Sequence, residues 1–178
     1  MMNVFRYPTP ECFDDLLMYT DGEVLTGLLF SGSRNEHKQL STAVETRHAT
    51  SLPTIIFDTF RWLDVYFSGY QPDFTPAYRM EGLTPFRKAV LDIVSEIPFG
   101  QTMTYGEIAK RIVEMIPETS PKPRKMSAQA VGGAVGWNPI CLIVPCHRVI
   151  GANGNLTGYG GGMHNKIALL KLEGSLMI

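Results

Sequence analysis

The sequence predicts an α/β fold in two domains that divide near residue 82. Three observations predict it: a hairpin pattern followed by one amphipathic helix, a stretch rich in proline and glycine from Gly69 to Pro85, and a series of capped helices after it. We therefore expect an N-terminal α+β domain with a small antiparallel sheet at residues 1–82 and a mainly helical C-terminal domain at residues 83–178.

Length and composition indicate an ordinary globular protein. The chain has 178 residues, of which 44% are apolar and 19% charged, so disordered and fibrous proteins are excluded. No apolar stretch reaches the roughly 18 residues of a membrane span, so we expect a cytoplasmic protein, or a nuclear one in a eukaryote. Residues 1–80 carry about −4 and residues 81–178 about +3, which favours an anionic partner for the second half.

The first half contains one hairpin signal and one helix signal. Asp21-Gly22 lies between the apolar segments Leu16–Thr20 and Glu23–Phe30, and this pair favours a two-residue hairpin turn. Residues 31–51 are polar and weakly patterned, which predicts a long loop. Behind Pro53, apolar residues recur at helical spacing and predict a helix that packs onto the sheet: Ile56, Phe60, Leu63 and Phe67.

Three helices are predicted in the second half from their first residues. Thr84 can cap the first helix, and Thr104 with Glu107 forms a capping box for the second, which ends before Pro117. The third helix begins after Ser127 and carries almost only alanine and glycine. Such a surface predicts that something packs closely against the helix backbone. The partner is either a neighbouring helix or, if the segment belongs to a helix-turn-helix, a groove of nucleic acid.

A cysteine follows the next apolar run. Ile140–Val144 predicts a buried strand that ends just before Cys146, and along such a strand Cys141 would lie about 16 Å from Cys146, too far for a disulfide. A free thiol needs a neighbouring base or cation to become nucleophilic. His147 is adjacent in sequence, although neighbours on a strand point to opposite faces.

Three further features follow the cysteine. Asn153-Gly154 predicts a second hairpin between Val149-Ile150 and Leu156-Thr157. The glycine-rich loop 158–162 predicts a pocket wall. The last helix, from Asn165, ends with a carboxylate, Glu173, at the negative end of the helix dipole, where a histidine partner would offset the unfavourable interaction.

These residues and their motifs carry a family resemblance. Asn138-Pro139, IVPCHRVIG from Ile143, TGYGGG and Leu172–Gly174, together with TPFRKAVLDIVSEIPFGQTMTYGEIA and AVGGAVGWNP, resemble the O6-alkylguanine-DNA alkyltransferases, also called methylated-DNA–protein-cysteine methyltransferases. The resemblance covers about residues 83–174. It implies a ribonuclease H-like N-terminal domain and a winged-helix-like C-terminal domain with a helix-turn-helix.

The same resemblance implies single-turnover repair of double-stranded DNA. An alkyl group on O6 of guanine, or on O4 of thymine, would pass irreversibly to Cys146 after the nucleotide is flipped out of the duplex. No cofactor, metal or membrane is implied, and a monomer is expected. Zinc is not expected because Cys12, His37 and His48 lack ligand spacing.

The resemblance also assigns roles residue by residue. Cys146 would be the nucleophile, His147 would deprotonate it through a water, and Glu173 would fix the imidazole. Asn138 would hold the turn around the cysteine, and Tyr105 would donate to the guanine. DNA contacts would come from Arg124, Lys125, Ala128, Gln129 and Ala130, and the substrate pocket from Val135, Val149, Tyr159 and Gly160.

The sequence departs from the family pattern at two positions. Gln129 stands where the family usually has an arginine finger, so we expect slower or weaker base flipping. Gly160 stands where many relatives carry a small hydroxyl residue. Two alternatives stay open: a lesion-binding relative that does not react, against which Cys146 argues, and a Cys-His hydrolase, which would turn over an ester or amide.

Overall fold

A four-stranded sheet forms the N-terminal part of the molecule. The computed structural model describes residues 2–36, 43–45, 52–117 and 125–176. The strands are β1 (Met2–Tyr7), β2 (Leu16–Thr20), β3 (Leu25–Phe30) and β4 (Ala43–Glu45), in the spatial order β3-β2-β1-β4. β1, β2 and β3 are antiparallel neighbours, and β4 is parallel to β1. The sheet is therefore small and mixed, with a mainly antiparallel pattern.

The predicted first hairpin is present, but its turn differs from the prediction. Four residues, 21–24, connect β2 to β3 instead of two, and the register shifts between Tyr19 and Thr20. The reason is the Asp21 side chain, which accepts hydrogen bonds from the backbone N–H groups of Glu23 and Val24 at 3.0 Å each and closes a wider loop. Neither β1 nor β4 was predicted, and β4 lies within residues 31–51, where a loop was expected.

The predicted helix after Pro53 is confirmed and packs onto the sheet. It is α1, Thr54–Phe67. The ring of Tyr7 in β1 packs against Phe60 and Phe67, with centroids 5.3 and 5.9 Å apart, and its hydroxyl donates to Asp64 at 2.7 Å. Aromatic packing and one hydrogen bond thus join the helix to the sheet.

The described residues of the second half contain four helices. They are α2 (Pro85–Ser95), α3 (Tyr105–Met115), α4 (Ala128–Val135) and α5 (Met163–Leu172). The two predicted caps are confirmed: the side chains of Thr84 and Thr104 accept backbone N–H groups at the starts of α2 and α3. The third helix begins after Ser127 as predicted, and the Ser127 side chain caps it. No helix among the described residues has the length and apolar character to cross a membrane.

The segment between the halves is tied to the sheet edge. Two residues of this segment bond to Leu25 in β3: the N–H of Arg79 donates to the Leu25 carbonyl, and the Ala77 carbonyl accepts from the Leu25 N–H. One hydrophobic core cluster includes buried residues from β1, β2, β3 and α1 as well as from α2, α3 and α4. The division into two domains at residue 82 stays a prediction.

The strand predicted at Ile140–Val144 is wrong. Ile140 forms a single bridge with Leu28, and the chain then turns through Leu142, which has a φ of 69°. The apolar, branched side chains fit a buried strand and also fit a buried turn, so their pattern does not distinguish the two. Cys146 consequently begins a 3₁₀ turn, Cys146–Arg148.

The second predicted hairpin is also wrong, although its turn is correct. Asn153 and Gly154 have φ values of 57° and 74°, as such a turn requires. The strand before it, β6 (Val149–Ile150), pairs in parallel with β5 (Met103–Thr104) and not with residues 156–157.

Candidate active site

A cavity of about 60 Å³ lies where the two halves of the chain meet. The first half contributes Leu29, Phe30, Ser33 and Asn35 to its wall. The second half contributes Tyr105, Gly132, Val135, Gly136, Asn138, Cys141, Cys146 and the loop 158–161. The predicted pocket wall, the glycine-rich loop, is therefore present, and the cavity is large enough for a small substituent beside the cysteine.

Asn138 shapes the turn that leads to Cys146. Its side-chain carbonyl accepts from the N–H of Ile140 at 3.0 Å, and its amide donates to the carbonyl of Val144 at 2.7 Å. Both contacts are buried, where an unmade hydrogen bond is costly. One side chain thus ties the two ends of the segment together and fixes the position of the cysteine.

Cys146 is a buried thiol at the cavity wall. Its Sγ donates to the hydroxyl of Tyr159 at 3.8 Å. Burial raises the pKa of Cys146, while side-chain hydrogen bonds with Asn138 and Tyr159 oppose the shift. The group therefore rests as a neutral thiol, and a base must remove its proton before it can act as a nucleophile.

Cys141 lines the same cavity and is also free. Burial raises its pKa well above the ordinary value, and the nearby Cys146 adds to the shift. The separation expected for a strand does not apply, because the segment between the two cysteines is a turn. The expectation that they stay unpaired agrees with the structure.

His147 follows the cysteine directly in sequence and contacts a buried carboxylate. Its Nε2 lies 2.8 Å from Oε1 of Glu173, so Glu173 has the histidine partner that its place at the end of α5 predicts. The Nδ1 atom is buried and makes no hydrogen bond within the described part of the chain. Burial lowers the pKa of His147 although Glu173 opposes the shift, which favours a neutral imidazole able to accept a proton.

Glu173 accepts hydrogen bonds from several elements. Arg148 donates from Nε to Oε2 at 2.8 Å and from Nη2 to Oε1 at 2.9 Å, and Tyr66 of α1 donates to Oε1 at 2.6 Å. The N–H of Gly100 adds a bond of 3.3 Å to Oε2. Burial would raise the pKa of Glu173, but the bonds from His147 and Arg148 outweigh it and lower the pKa to about 2. The carboxylate is thus anionic at neutral pH.

Comparison with known proteins identifies the family. The family model described as 6-O-methylguanine DNA methyltransferase, DNA binding domain, matches residues 85–175. The inducible methylated-DNA–protein-cysteine methyltransferase of Bacillus subtilis is 38% identical over 174 residues, which cover 92% of this chain and 91% of that protein. The chain belongs to the methylated-DNA–protein-cysteine methyltransferase family.

Other members of the methyltransferase family are similar in sequence or structure. The protein of that name from Methanosarcina acetivorans is 51% identical over 115 residues, 65% of this chain and 67% of its own length. A crystal structure of Mycobacterium tuberculosis OGT in complex with DNA superposes with a TM-score of 0.73 at 36% identity. The match covers 98% of this chain and 92% of that one.

Three of the four pocket positions assigned by the methyltransferase resemblance lie at the cavity. Val135, Tyr159 and Gly160 line it, whereas Val149 is fully buried and does not. The carbonyl of Val149 instead accepts a hydrogen bond of 2.6 Å from Lys166. Tyr105 lines the cavity as well, and its hydroxyl accepts from Thr157 at 3.2 Å.

The methyltransferase resemblance places its DNA contacts on α4 and the segment before it. Ala128, Gln129 and Ala130 are exposed on this helix, as is Lys125 before it, while Arg124 lies outside the described residues. The glycines of α4 have different surroundings. A Cβ at Gly132 would lie 3.5 Å from the Tyr105 ring, an ordinary packing contact, whereas one at Gly133 would meet no described residue within 4 Å. Gly132 therefore faces α3, and Gly133 faces away from the described part of the chain.

Three buried polar residues of the methyltransferase site were not predicted. Arg148 follows the histidine directly, so the motif contained it without indicating its contact with Glu173. Tyr66 and Lys166 gave no local signal, because their partners are distant along the chain. Lys166 is fully buried, and burial lowers its pKa while the nearby Cys146 raises it.

Proposed function

We propose that the chain repairs DNA by direct reversal, accepting an alkyl group from O6 of guanine, or O4 of thymine, onto Cys146 once and irreversibly. The observation that carries the proposal is a buried thiol at a cavity, directly followed by a histidine that a carboxylate holds at 2.8 Å. The relatives named above act on methylated DNA according to their names. We expect a cytoplasmic monomer, as the sequence predicts.

The reaction exchanges the thiol hydrogen for the alkyl group. His147 Nδ1 takes the thiol proton through one water, which would give this nitrogen its missing hydrogen-bond partner. The thiolate then attacks the alkyl carbon, so an S–C bond forms and the C–O6 bond breaks. Guanine leaves with a C=O6 bond and takes up a proton on N1, which balances the thiol proton once His147 releases it, so the base is restored and the imidazole is neutral again.

The surroundings of Cys146 stabilise the charges that appear during transfer. The Tyr159 hydroxyl at 3.8 Å and the buried Lys166 ammonium favour the thiolate. Glu173 favours the imidazolium that forms when His147 accepts the proton. Tyr105 at the cavity wall donates to the departing guanine. None of these contributions requires a cofactor.

DNA binding follows from the exposed face of α4. The reacting carbon of a duplex base is inaccessible, so the nucleotide must rotate out of the duplex and bring its alkyl group to the cavity, at a cost of a few kcal/mol. A helix whose exposed residues are alanine, glycine and Gln129 can bring its backbone close to a groove, and Lys125 can neutralise a phosphate without reading sequence. Gln129 fills space in the duplex but lacks the charge of an arginine.

Intact-mass measurement after incubation with a duplex containing O6-methylguanine tests the proposal. The expected result is a gain of one methylene per protein, located on the peptide of Cys146 and absent in Cys146→Ser. Cys141→Ser is the matched control, because it removes the other thiol of the same cavity and should leave the gain unchanged. Alkylation of another residue, no mass gain, or repeated turnover would contradict the proposal.

A further inference from the structure

We propose that Tyr66 is a positioning residue for alkyl transfer, acting through Glu173 to keep the proton of His147 on Nε2 and the lone pair on Nδ1. Tyr66 belongs to α1 in the first half of the chain, whereas the reacting residues lie in the second half. The inference rests on the proposed function and assigns the first half a part in the chemistry beyond support.

The geometry joins three groups at one oxygen. Oε1 of Glu173 accepts from the Tyr66 hydroxyl at 2.6 Å and lies 2.8 Å from Nε2 of His147. The Tyr66 oxygen is 3.3 Å from that nitrogen. All three side chains are buried, with Tyr66 and His147 fully inaccessible to solvent. The Tyr66 hydroxyl therefore donates to Oε1 of Glu173 in a fixed geometry.

Packing holds the Tyr66 ring in place. It stacks on Trp62, with centroids 5.3 Å apart and planes at 7°, and it contacts the edge of Phe99 at 5.9 Å. Phe99 belongs to the second half of the chain, so the ring is fixed from both sides of the junction. A hydroxyl on a ring held this firmly loses little entropy when it donates to Glu173.

Glu173 sets the tautomer of His147, and the hydrogen bond from Tyr66 limits how strongly Glu173 favours a second proton on the imidazole. A carboxylate that accepts from Tyr66 and from both Arg148 nitrogens is a weak base, so it accepts from Nε2–H without removing that proton. Nδ1 then carries the lone pair. Without the Tyr66 hydroxyl, Glu173 would attract the imidazole proton more strongly and stabilise the imidazolium. The titratable groups around the His147–Glu173 pair are Tyr66, Cys141, Cys146, Arg148 and Lys166.

The test compares Tyr66→Phe with Tyr7→Phe across pH. Both variants remove a short bond from a tyrosine to a carboxylate involving α1, at 2.6 Å to Glu173 and 2.7 Å to Asp64, but only the first touches the site. In Tyr66→Phe the rate constant for Cys146 methylation should fall about tenfold at neutral pH. The acid limb of the profile of this rate constant against pH, where the rate falls as His147 becomes protonated, should move to higher pH. Tyr7→Phe should keep the acid limb of the wild type.

Nitrogen NMR of the His147 ring in the wild type provides a reading that needs no variant and no activity. The expected tautomer has the proton on Nε2. A proton on Nδ1, or equal movement of the acid limb in both tyrosine variants, would overturn the role of Tyr66. If Tyr66→Phe does not fold, the same spectra recorded across pH decide: an Nδ1 of the wild-type ring that is already protonated at neutral pH would overturn the role of Tyr66. Failure of the wild type to become methylated would instead refute the proposed function.

Discussion

Glu173 stands at the end of α5, where the helix dipole disfavours a carboxylate, and its donors come from three places in the chain. Tyr66 lies on α1, Gly100 precedes β5, and His147 and Arg148 belong to the 3₁₀ turn. Charge-assisted hydrogen bonds of this kind outweigh the few tenths of a kcal/mol of the dipole term. The carboxylate therefore stabilises the junction as well as orienting His147.

Glu173→Gln should change how stability depends on pH. The pKa of Glu173 is lowered from 4.5 to about 2 in the folded chain, so its contribution is full above pH 4.5 and is lost as pH falls toward 2. At pH 6 the variant should be less stable by about 3 kcal/mol, because Arg148 loses its buried partner. At pH 3 this difference in unfolding free energy between the wild type and Glu173→Gln should be smaller by about 2 kcal/mol.

Urea unfolding of both proteins at pH 6 and pH 3 measures the gap. Glu114→Gln on the surface of α3 is the control, because within the described ranges Glu114 makes only an exposed contact of 3.9 Å with Lys110. Its stability should follow that of the wild type at both pH values within about 0.5 kcal/mol. A gap between wild type and Glu173→Gln that stays constant with pH would show that Glu173 is not held at a low pKa.

The sequence predicts the residues of the site unequally. Cys146 and His147 lie in one short motif, and Glu173 is marked by its unfavourable place on a helix, so local reasoning reaches them. Tyr66 and Lys166 are ordinary helix residues in sequence. Their importance arises only when folding brings them to partners that are far away along the chain, and no spacing rule indicates that.

At the level of elements, capping chemistry proves more informative than apolar runs. Thr84, Thr104 and Ser127 mark three helix starts correctly, because a cap satisfies specific backbone donors at a fixed offset. The run Ile140–Val144 misleads, because burial alone explains its composition. The decisive interaction is the pair of hydrogen bonds from Asn138, which favours a turn.

Gly133→Ala separates the stability of α4 from its proposed contact with DNA. An added Cβ meets no atom of the described residues within 4 Å, so the helix should gain about 0.5–1 kcal/mol of unfolding free energy. If the backbone enters a groove at this point, the methyl group should weaken duplex affinity about threefold or more. Thermal unfolding and a fluorescence binding titration measure the two effects.

Gly106→Ala serves as the control for helix propensity. Gly106 is exposed in the first turn of α3, and an added Cβ would only reach Thr104 at 3.8 Å. This variant should not weaken duplex binding. Unchanged affinity in Gly133→Ala would remove this face of α4 from the DNA interface.

At the scale of the whole molecule, contacts between the halves converge on the active-site segment. Leu28 of β3 donates to the carbonyl of Pro139 and accepts from the N–H of Cys141, both at 2.8 Å. Asn165 at the start of α5 donates to Asp14 at 2.8 Å and to the carbonyl of Gly161 at 2.6 Å. The first half thus fixes both the turn before Cys146 and the glycine-rich loop. The composition of the linker predicted a boundary between the halves but gave no sign of these contacts across it.

Such coupling predicts that the chain unfolds in one transition, although two domains are expected from its sequence. The two tryptophans report on different halves, since Trp62 lies in α1 and Trp137 follows α4. In Trp62→Phe and in Trp137→Phe, the remaining tryptophan should give the same urea midpoint as circular dichroism. A continuous core and the Tyr66–Glu173 bond are the physical reason, because neither half can open without exposing them. Midpoints that differ between the two probes in either variant would show that the halves unfold independently.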